Sequence, residues 1–346
     1  MQTRGHEFKV VTSHGSLDLP DEDEKDGVPI HRFPFQAAIK NRDFVLMTEA
    51  RQRLARLKKD FRPDLVHISL TDPSVLFHWQ TFGGHPTATL ISTRVALPTK
   101  AAGADSLIGQ TLRSADWVTT ISKAMLEHIY KIVPETKSRS SLIYNGLDMP
   151  EVKPHTLPFE KLRLLCLGRV VEDKGFDIAL RAFKRIVENI PEARLVIGGD
   201  GPSRRKLEAL ARDLGISNLV EFIGWVKPDR VYELINTATV VIMPSRWEEA
   251  FGLVALQAAQ MARPVVATLV GGLPEIVIDK ETGLLVPNED HHALSEAVIW
   301  LLRNKREAVR MGENARARAH DVFNWKDHVN QYDELYRKLT DKRREQ

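Results

Sequence analysis

Three stretches in the second half of the chain carry residues that suit a phosphorylated ligand. In "CLGRVVEDKGFDIALRAF", Arg169 follows an apolar run and Lys174 precedes a helical pattern, with Gly168 and Gly175 beside them. Two cations next to a helix N-terminus suit a diphosphate, because free N–H groups and the helix dipole add to the side-chain charge. A surface loop with two solvated bases explains that stretch equally well on its own. "VIGGDGPSRRKLEAL" repeats the run–glycine–helix design, but Gly199 and Gly201 are followed by Pro202, Ser203 and Arg204. The missing third glycine argues against a dinucleotide site and a dehydrogenase. In "MPSRWEEAFGLVALQAAQ", Glu248 and Glu249 stand before an uncharged helical pattern. A carboxylate there either stabilises the helix dipole, worth about 0.3–1 kcal/mol, or accepts hydrogen bonds from a ligand's hydroxyls. "TLVGGLPEIV" adds a further loop, with Gly271-Gly272 before Pro274. Turn chemistry accounts for each loop singly; three of them together with two cations are harder to explain that way.

Positioning such loops requires a scaffold, and the chain shows one. Short runs rich in Val, Ile, Leu and Thr predict strands: "FKVVTS", "DLVHISL", "TATLIST", "WVTTIS" and "SSLIYN", then "LRLLCLG", "ARLVIGG", "LVEFIG", "TVVIMP" and "PVVAT". Helical patterns such as "FDIALRAFKRIVENI" lie between them. This alternation predicts an α/β fold with parallel sheets. The proline-rich "GLDMPEVKPHTLPFEKLR" reads as a linker. The expected organisation is an N-terminal Rossmann-like domain over 1–150, a linker over 151–160, a C-terminal Rossmann-like domain over 161–324 and a closing helix over 325–346. The two domains are expected to face a cleft, with ligands beyond the carboxyl ends of the strands.

The 346 residues suffice for two cores, and a net charge of +3 from 49 basic and 46 acidic residues shows no excess that would suit nucleic acid. The single cysteine, Cys166, sits in an apolar run and reads as a buried strand residue in a protein of a reducing compartment. The start lacks an apolar stretch suited to a signal peptide, and no run approaches the roughly 20 apolar residues of a membrane span. The expectation is a cytoplasmic protein. Peripheral contact with the inner membrane face is left open by "FVLMTEARQRLARLKKDF", where Arg51, Arg53, Arg56, Lys58 and Lys59 interleave with leucines; an ordinary surface helix is the alternative.

Taken in order, "IYNGLD", "GRVVEDKGFD", "GGDGP", "FIGWV", "MPSRWEEAFGLVALQAAQ", "PVVATLVGGLPEIV" and "TGLLVP" resemble the family 4 retaining glycosyltransferases of the GT-B fold. The N-terminal half resembles them more loosely, through "GHEFKVVTS", "GVPIHRFPF", "RPDLVHIS" and "ADWVTTIS". The resemblance implies a nucleotide-diphosphate-sugar donor held by the C-terminal domain, no metal and no cofactor. It implies that Arg169 and Lys174 hold the diphosphate as leaving group and that Glu249 contacts donor sugar hydroxyls. Gly168, Gly199 and the backbone of Phe251, Gly252 and Leu253 fall beside sugar and phosphate, and Val226 beside the base. Asp21-Glu22-Asp23 formally fits the metal motif of the other large glycosyltransferase fold, but reads as a solvated acidic loop.

The chain also departs from the family pattern. Gln257 stands where a ribose-binding glutamate is expected, and the loss of charge should weaken donor binding by about 1 kcal/mol. The family's first strand and glycine-rich loop have no counterpart here, which should leave a gap in the N-terminal sheet. Acceptor-side candidates are His67 and Ser69, on one face of a strand by period-2 alternation, and Arg94. A satisfied strand-end histidine is the favoured reading of His67. The resulting expectation is a metal-independent retaining glycosyltransferase acting on a sugar, lipid-linked or small-molecule acceptor. The alternative is a catalytically weak relative that binds nucleotide or sugar, or serves in an assembly.

Overall fold

The structure is a computed structural model of the chain and describes residues 1–14, 19–69, 74–81, 87–93, 106–247 and 249–344. They form two compact units: Met1–Thr120 with Leu126–Ile143 and Val329–Gln346, and Ile121–Met125 with Tyr144–His328.

In the first unit, β1 (Val10–Ser13) and β2 (Glu22–Lys25) flank β3 (Val28–Phe33), β1 parallel and β2 antiparallel to it. The acidic run expected as a solvated loop is therefore a strand. Asp26 and Gly27 both take positive φ (54° and 75°), as a two-residue hairpin requires. Arg32 pairs with Asp23 at 2.9 Å and Arg53 pairs with Asp21, which offsets the charge crowded into the strand. Arg53 comes from the helix Phe44–Phe61, capped by Asp43, and its guanidinium lies 4.7 Å over the Phe33 ring. Lys58 of the same helix donates to the carbonyls of His78 and Thr81 (2.9 and 2.7 Å), and burial pulls its pKa down to about 8. Arg51 also donates to Gln80 at 3.3 Å, so three of the five cations on this helix bond within their own unit.

A second sheet holds β4 (Leu65–Ser69), β5 (Ala88–Thr93), β6 (Trp117–Thr120) and β7 (Ser140–Leu142), all parallel and in that order. No backbone pairing joins the two sheets among the described residues. The last helix, Trp325–Arg344, lays Tyr332, Leu335 and Leu339 against Ala88, Leu90 and Ile143. Its Asp333 accepts from His6 (2.6 Å), Arg4 (3.1 Å) and Arg337 (3.2 Å), tying the N-terminal residues to the helix.

The second unit is one six-stranded parallel sheet. Its strands are β8 (Arg163–Leu167), β9 (Arg194–Gly198), β10 (Val220–Gly224), β11 (Val240–Met243), β12 (Val265–Thr268) and β13 (Gly283–Val286). They lie in the order β10-β9-β8-β11-β12-β13. Alternate residues feed two cores. Leu164, Cys166, Val240 and Ile242 face the helices Phe176–Asn189 and His291–Arg303, while Leu165, Val241 and Met243 face Leu253–Gln260. Both faces are covered, which is why these strands read as unbroken apolar runs. Cys166 is fully buried in β8, and burial pushes its thiol pKa up. Among the described residues no helix is long and apolar enough to cross a membrane.

The His6 hydrogen bond, aided by Arg4 and Arg337, outweighs burial and pulls the Asp333 pKa from 3.8 down to about 2. A depressed carboxylate contributes stability above its unfolded pKa and loses it as pH falls through the folded value. Asp333→Asn should lower the melting temperature at pH 7, and the gap to wild type should close between about pH 4 and pH 2. Thermal melts of both proteins across that range check this.

Candidate active site

Strand order explains where the site lies. Counted along the second unit, the sheet runs third, second, first, fourth, fifth, sixth, so connections from β8 and β11 leave in opposite directions and open a crevice beyond their carboxyl ends. The β8 loop carries Gly168, Arg169 and Lys174, and the β11 loop carries Glu249. Lys174 donates to the Glu249 carboxylate, which also accepts from Ser245 Oγ at 3.3 Å. Both side chains are largely buried, at 25% and 17% exposure. Arg169 is exposed, and its guanidinium makes no hydrogen bond or ion pair among the described residues.

Glycines bring these loops together. Gly175 ends the Lys174 turn at φ 64°, and a Cβ there would stand 1.9 Å from the Pro244 carbonyl oxygen, just after β11. Gly271, after β12, takes φ 53°, and a Cβ would stand 2.2 Å from the Glu249 carbonyl oxygen. The Gly272 N–H donates to that same oxygen at 2.7 Å. Glu249 is thereby held by its backbone from one side and its carboxylate from the other.

The remaining donor-side candidates lie along this edge. Gly199 follows β9 and packs on Gly168, and Val226 follows β10, half-buried near Gly198. Phe251 is buried (2% exposed) between Tyr144 and Phe323, so only its backbone remains for a ligand. Gly252 precedes the helix Leu253–Gln260, whose first residue is exposed and whose other face is buried in the core. Gln257 is half-buried one turn into that helix. Burial raises the Tyr232 phenol pKa, and a hydrogen bond with Gln257 offsets part of that rise; the Tyr232 hydroxyl donates to Gln260 at 2.7 Å.

His67 belongs to the first unit, on β4. Its Nδ1 meets the Tyr336 hydroxyl at 2.6 Å and its Nε2 meets Ser92 Oγ at 2.5 Å. Ser92 continues to Thr119 and Tyr332 (2.6 and 3.2 Å). This is the satisfied strand histidine that the sequence allowed. Ser69 ends β4, exposed. Arg94 and Glu248 lie outside the described residues.

Sequence reasoning missed two structural members of the site. Arg246 grips Asp177 with both terminal nitrogens (2.5 and 2.6 Å) and Glu289 with Nε (2.7 Å). Burial pushes the Asp177 pKa up, but the hydrogen bonds and charge of Arg246 outweigh it and hold the carboxyl below its ordinary value. Glu275 accepts from the backbone N–H groups of Lys123 and Ala124 (2.9 and 3.2 Å) and from the Tyr144 hydroxyl (2.9 Å). No local spacing marks either contact, since each joins residues far apart in the chain.

Comparison with known proteins now bears on this edge. Residues 150–318 match the family model described as glycosyl transferases group 1, and residues 1–150 match the model described as Glycosyltransferase Family 4. The chain belongs to the family 4 glycosyltransferases. A D-inositol 3-phosphate glycosyltransferase of Corynebacterium urealyticum is 32% identical over 249 residues, 66% of this chain and 58% of that protein. The chain spans less than two thirds of the length of the curated relatives it matches at 31% and 32% identity. Sucrose-phosphate synthase from Thermosynechococcus elongatus superposes with a TM-score of 0.83 at 24% identity, covering 98% of this chain and 90% of that one. HepE of Anabaena, solved in complex with UDP and glucose, gives 0.73 at 19% identity over 89% and 86% of the two chains. The fold of this family 4 member is therefore GT-B.

In this glycosyltransferase family member the Gly271 turn is a sensitive point. Gly271→Ala incurs about 1–2 kcal/mol from the left-handed backbone alone, and the clash with Glu249 adds to it. Denaturant unfolding should show a loss of at least that size, while Ala at exposed Gly5, which has φ 86° but no close neighbour, costs only the backbone share.

Proposed function

We propose that this protein is a retaining, metal-independent glycosyltransferase that moves a sugar from a nucleotide-diphosphate sugar to an acceptor hydroxyl. What supports the reading is the order of chemical groups along the carboxyl edge of the second sheet. Val226 and the exposed indole of Trp225 follow β10, Gly199 follows β9, Gly168, Arg169 and Lys174 follow β8, and Glu249 follows β11. Adjacent strands are about 4.8 Å apart, so the three spacings from β10 to β11 span about 14 Å, the reach of an extended base–ribose–diphosphate–sugar. Apolar surface for a base, cations for phosphate and a carboxylate for sugar hydroxyls occur in the donor's own sequence.

On this reading the diphosphate meets Arg169 and Lys174, and the transferred sugar meets Glu249. The acceptor oxygen bonds to the anomeric carbon on the face from which the diphosphate departs. The electron pair of the broken carbon–oxygen bond goes to the phosphate oxygen, which also takes the acceptor's proton. The two cations stabilise charge that grows on that oxygen, so they act most strongly at the transition state. Gln257 supplies a neutral contact to ribose.

Incubation with a panel of UDP- and GDP-sugars, followed by nucleotide release and glycoside formation, tests the proposal. Arg169→Ala should lower kcat by about a hundredfold or more, and Glu249→Ala should fall most on turnover of intact donor. Gln257→Glu should tighten nucleotide binding by about 1 kcal/mol, roughly fivefold. Donor binding without turnover, indifferent to Glu249→Ala, would leave a binding protein in place of an enzyme.

A further inference from the structure

Two ion pairs join the same two loops of the second unit. Lys174 meets Glu249, and Asp177, three residues after Lys174, meets Arg246, three residues before Glu249. A single pair would suffice to hold two loops together, so the duplication asks for a reason.

The two pairs differ in build. Arg246 is 19% exposed and makes a bidentate contact with Asp177, a third bond from Nε to Glu289 and a fourth to the Glu172 carbonyl at 3.2 Å. Its backbone takes part as well: the N–H donates to the Asp173 carbonyl at 2.9 Å, and the carbonyl accepts from Asn288 Nδ2 at 2.7 Å. One residue thus ties together the loops after β8, β11 and β13. A planar guanidinium with several fixed partners is a rigid tie, whereas a lysine ammonium is a compact charge on a flexible stem that exchanges partners readily.

We infer that Arg246 is a positioning residue: it keeps the loops carrying Lys174 and Glu249 in register while the donor takes those two side chains away from each other. The inference rests on the donor reading above. When a diphosphate engages Lys174 and a sugar engages Glu249, their mutual pair is given up, and the contact between the loops passes to Arg246, Asp177 and Glu289. Arg246 touches no reacting atom. It acts on the distance between two groups that a single ligand must bridge.

That role separates ligands by reach. A nucleoside diphosphate engages Lys174 without engaging Glu249; a nucleotide sugar must engage both side chains at once. Binding of UDP and UDP-glucose, and of GDP and GDP-mannose, should be measured on wild type, Arg246→Lys, Asp177→Asn and Arg246→Ala. Arg246→Lys retains the charge and guards against a variant that fails to fold. The expected result is nucleotide-diphosphate affinity within about twofold of wild type and nucleotide-sugar affinity weakened roughly tenfold or more, because small misplacement of paired groups is costly. The advantage of nucleotide sugar over nucleotide should therefore collapse in Arg246→Lys and Asp177→Asn, at unchanged circular dichroism. Parallel loss of both ligands, or no change in either, would overturn the inference alone. Wild type that binds neither class would overturn the donor reading and this inference with it.

Discussion

Everything at the carboxyl edge of the second unit depends on β8 lying between β9 and β11 in a parallel sheet. Their registers, Leu164 against Leu195 on one side and against Val240 on the other, bring loops that are about 75 residues apart in sequence to adjacent positions. Parallel pairing sends all carboxyl ends to one edge, and the reversal of order there keeps the crossing helices out of the crevice. A lysine, an exposed arginine and a glutamate then share one edge without any long-range plan in their own local sequence.

That arrangement is expensive in backbone terms, and the glycines absorb the cost. Gly175 and Gly271 sit where a β-carbon would overlap the carbonyl oxygen of Pro244 or Glu249. Positive φ at these points lets the three loops approach within hydrogen-bonding distance, as the 2.7 Å contact from Gly272 to Glu249 records. Electrostatics then divides into two kinds. Contacts made by Arg246 and Glu275 cap, tie and orient backbone. Arg169 makes no such contact among the described residues, and the Lys174–Glu249 pair joins side chains alone.

Much of this was legible in the sequence because strand runs, glycine loops and helix starts are local. The strands from "LRLLCLG" to "PVVAT" and the helix from Phe44 to Phe61 stand where the patterns indicated. Gln257 and Glu249 were singled out by position within one motif. What escaped is what depends on distant partners. The run "DEDEKDG" looks like a solvated loop until Arg32 and Arg53 are seen to neutralise its acids beside a hairpin at Asp26-Gly27. His67 looks available until Tyr336, some 270 residues onward, closes over it. Arg246 sits inside a quoted motif, yet its partners Asp177 and Glu289 lie far away on either side. On the basic helix, Arg53 and Lys58 find acceptors within their own unit that helical periodicity does not reveal.

The account stands or falls on the placement of an intact donor along the β10-to-β11 edge. A crystal structure with a bound, non-hydrolysable nucleotide sugar tests it most directly. The account predicts a diphosphate on Arg169 and Lys174, the sugar hydroxyls on Glu249, the base beside Val226, and the Lys174–Glu249 pair opened while Arg246 keeps Asp177. A donor bound elsewhere, or one that leaves Lys174 on Glu249 and Arg169 in solvent, would contradict it.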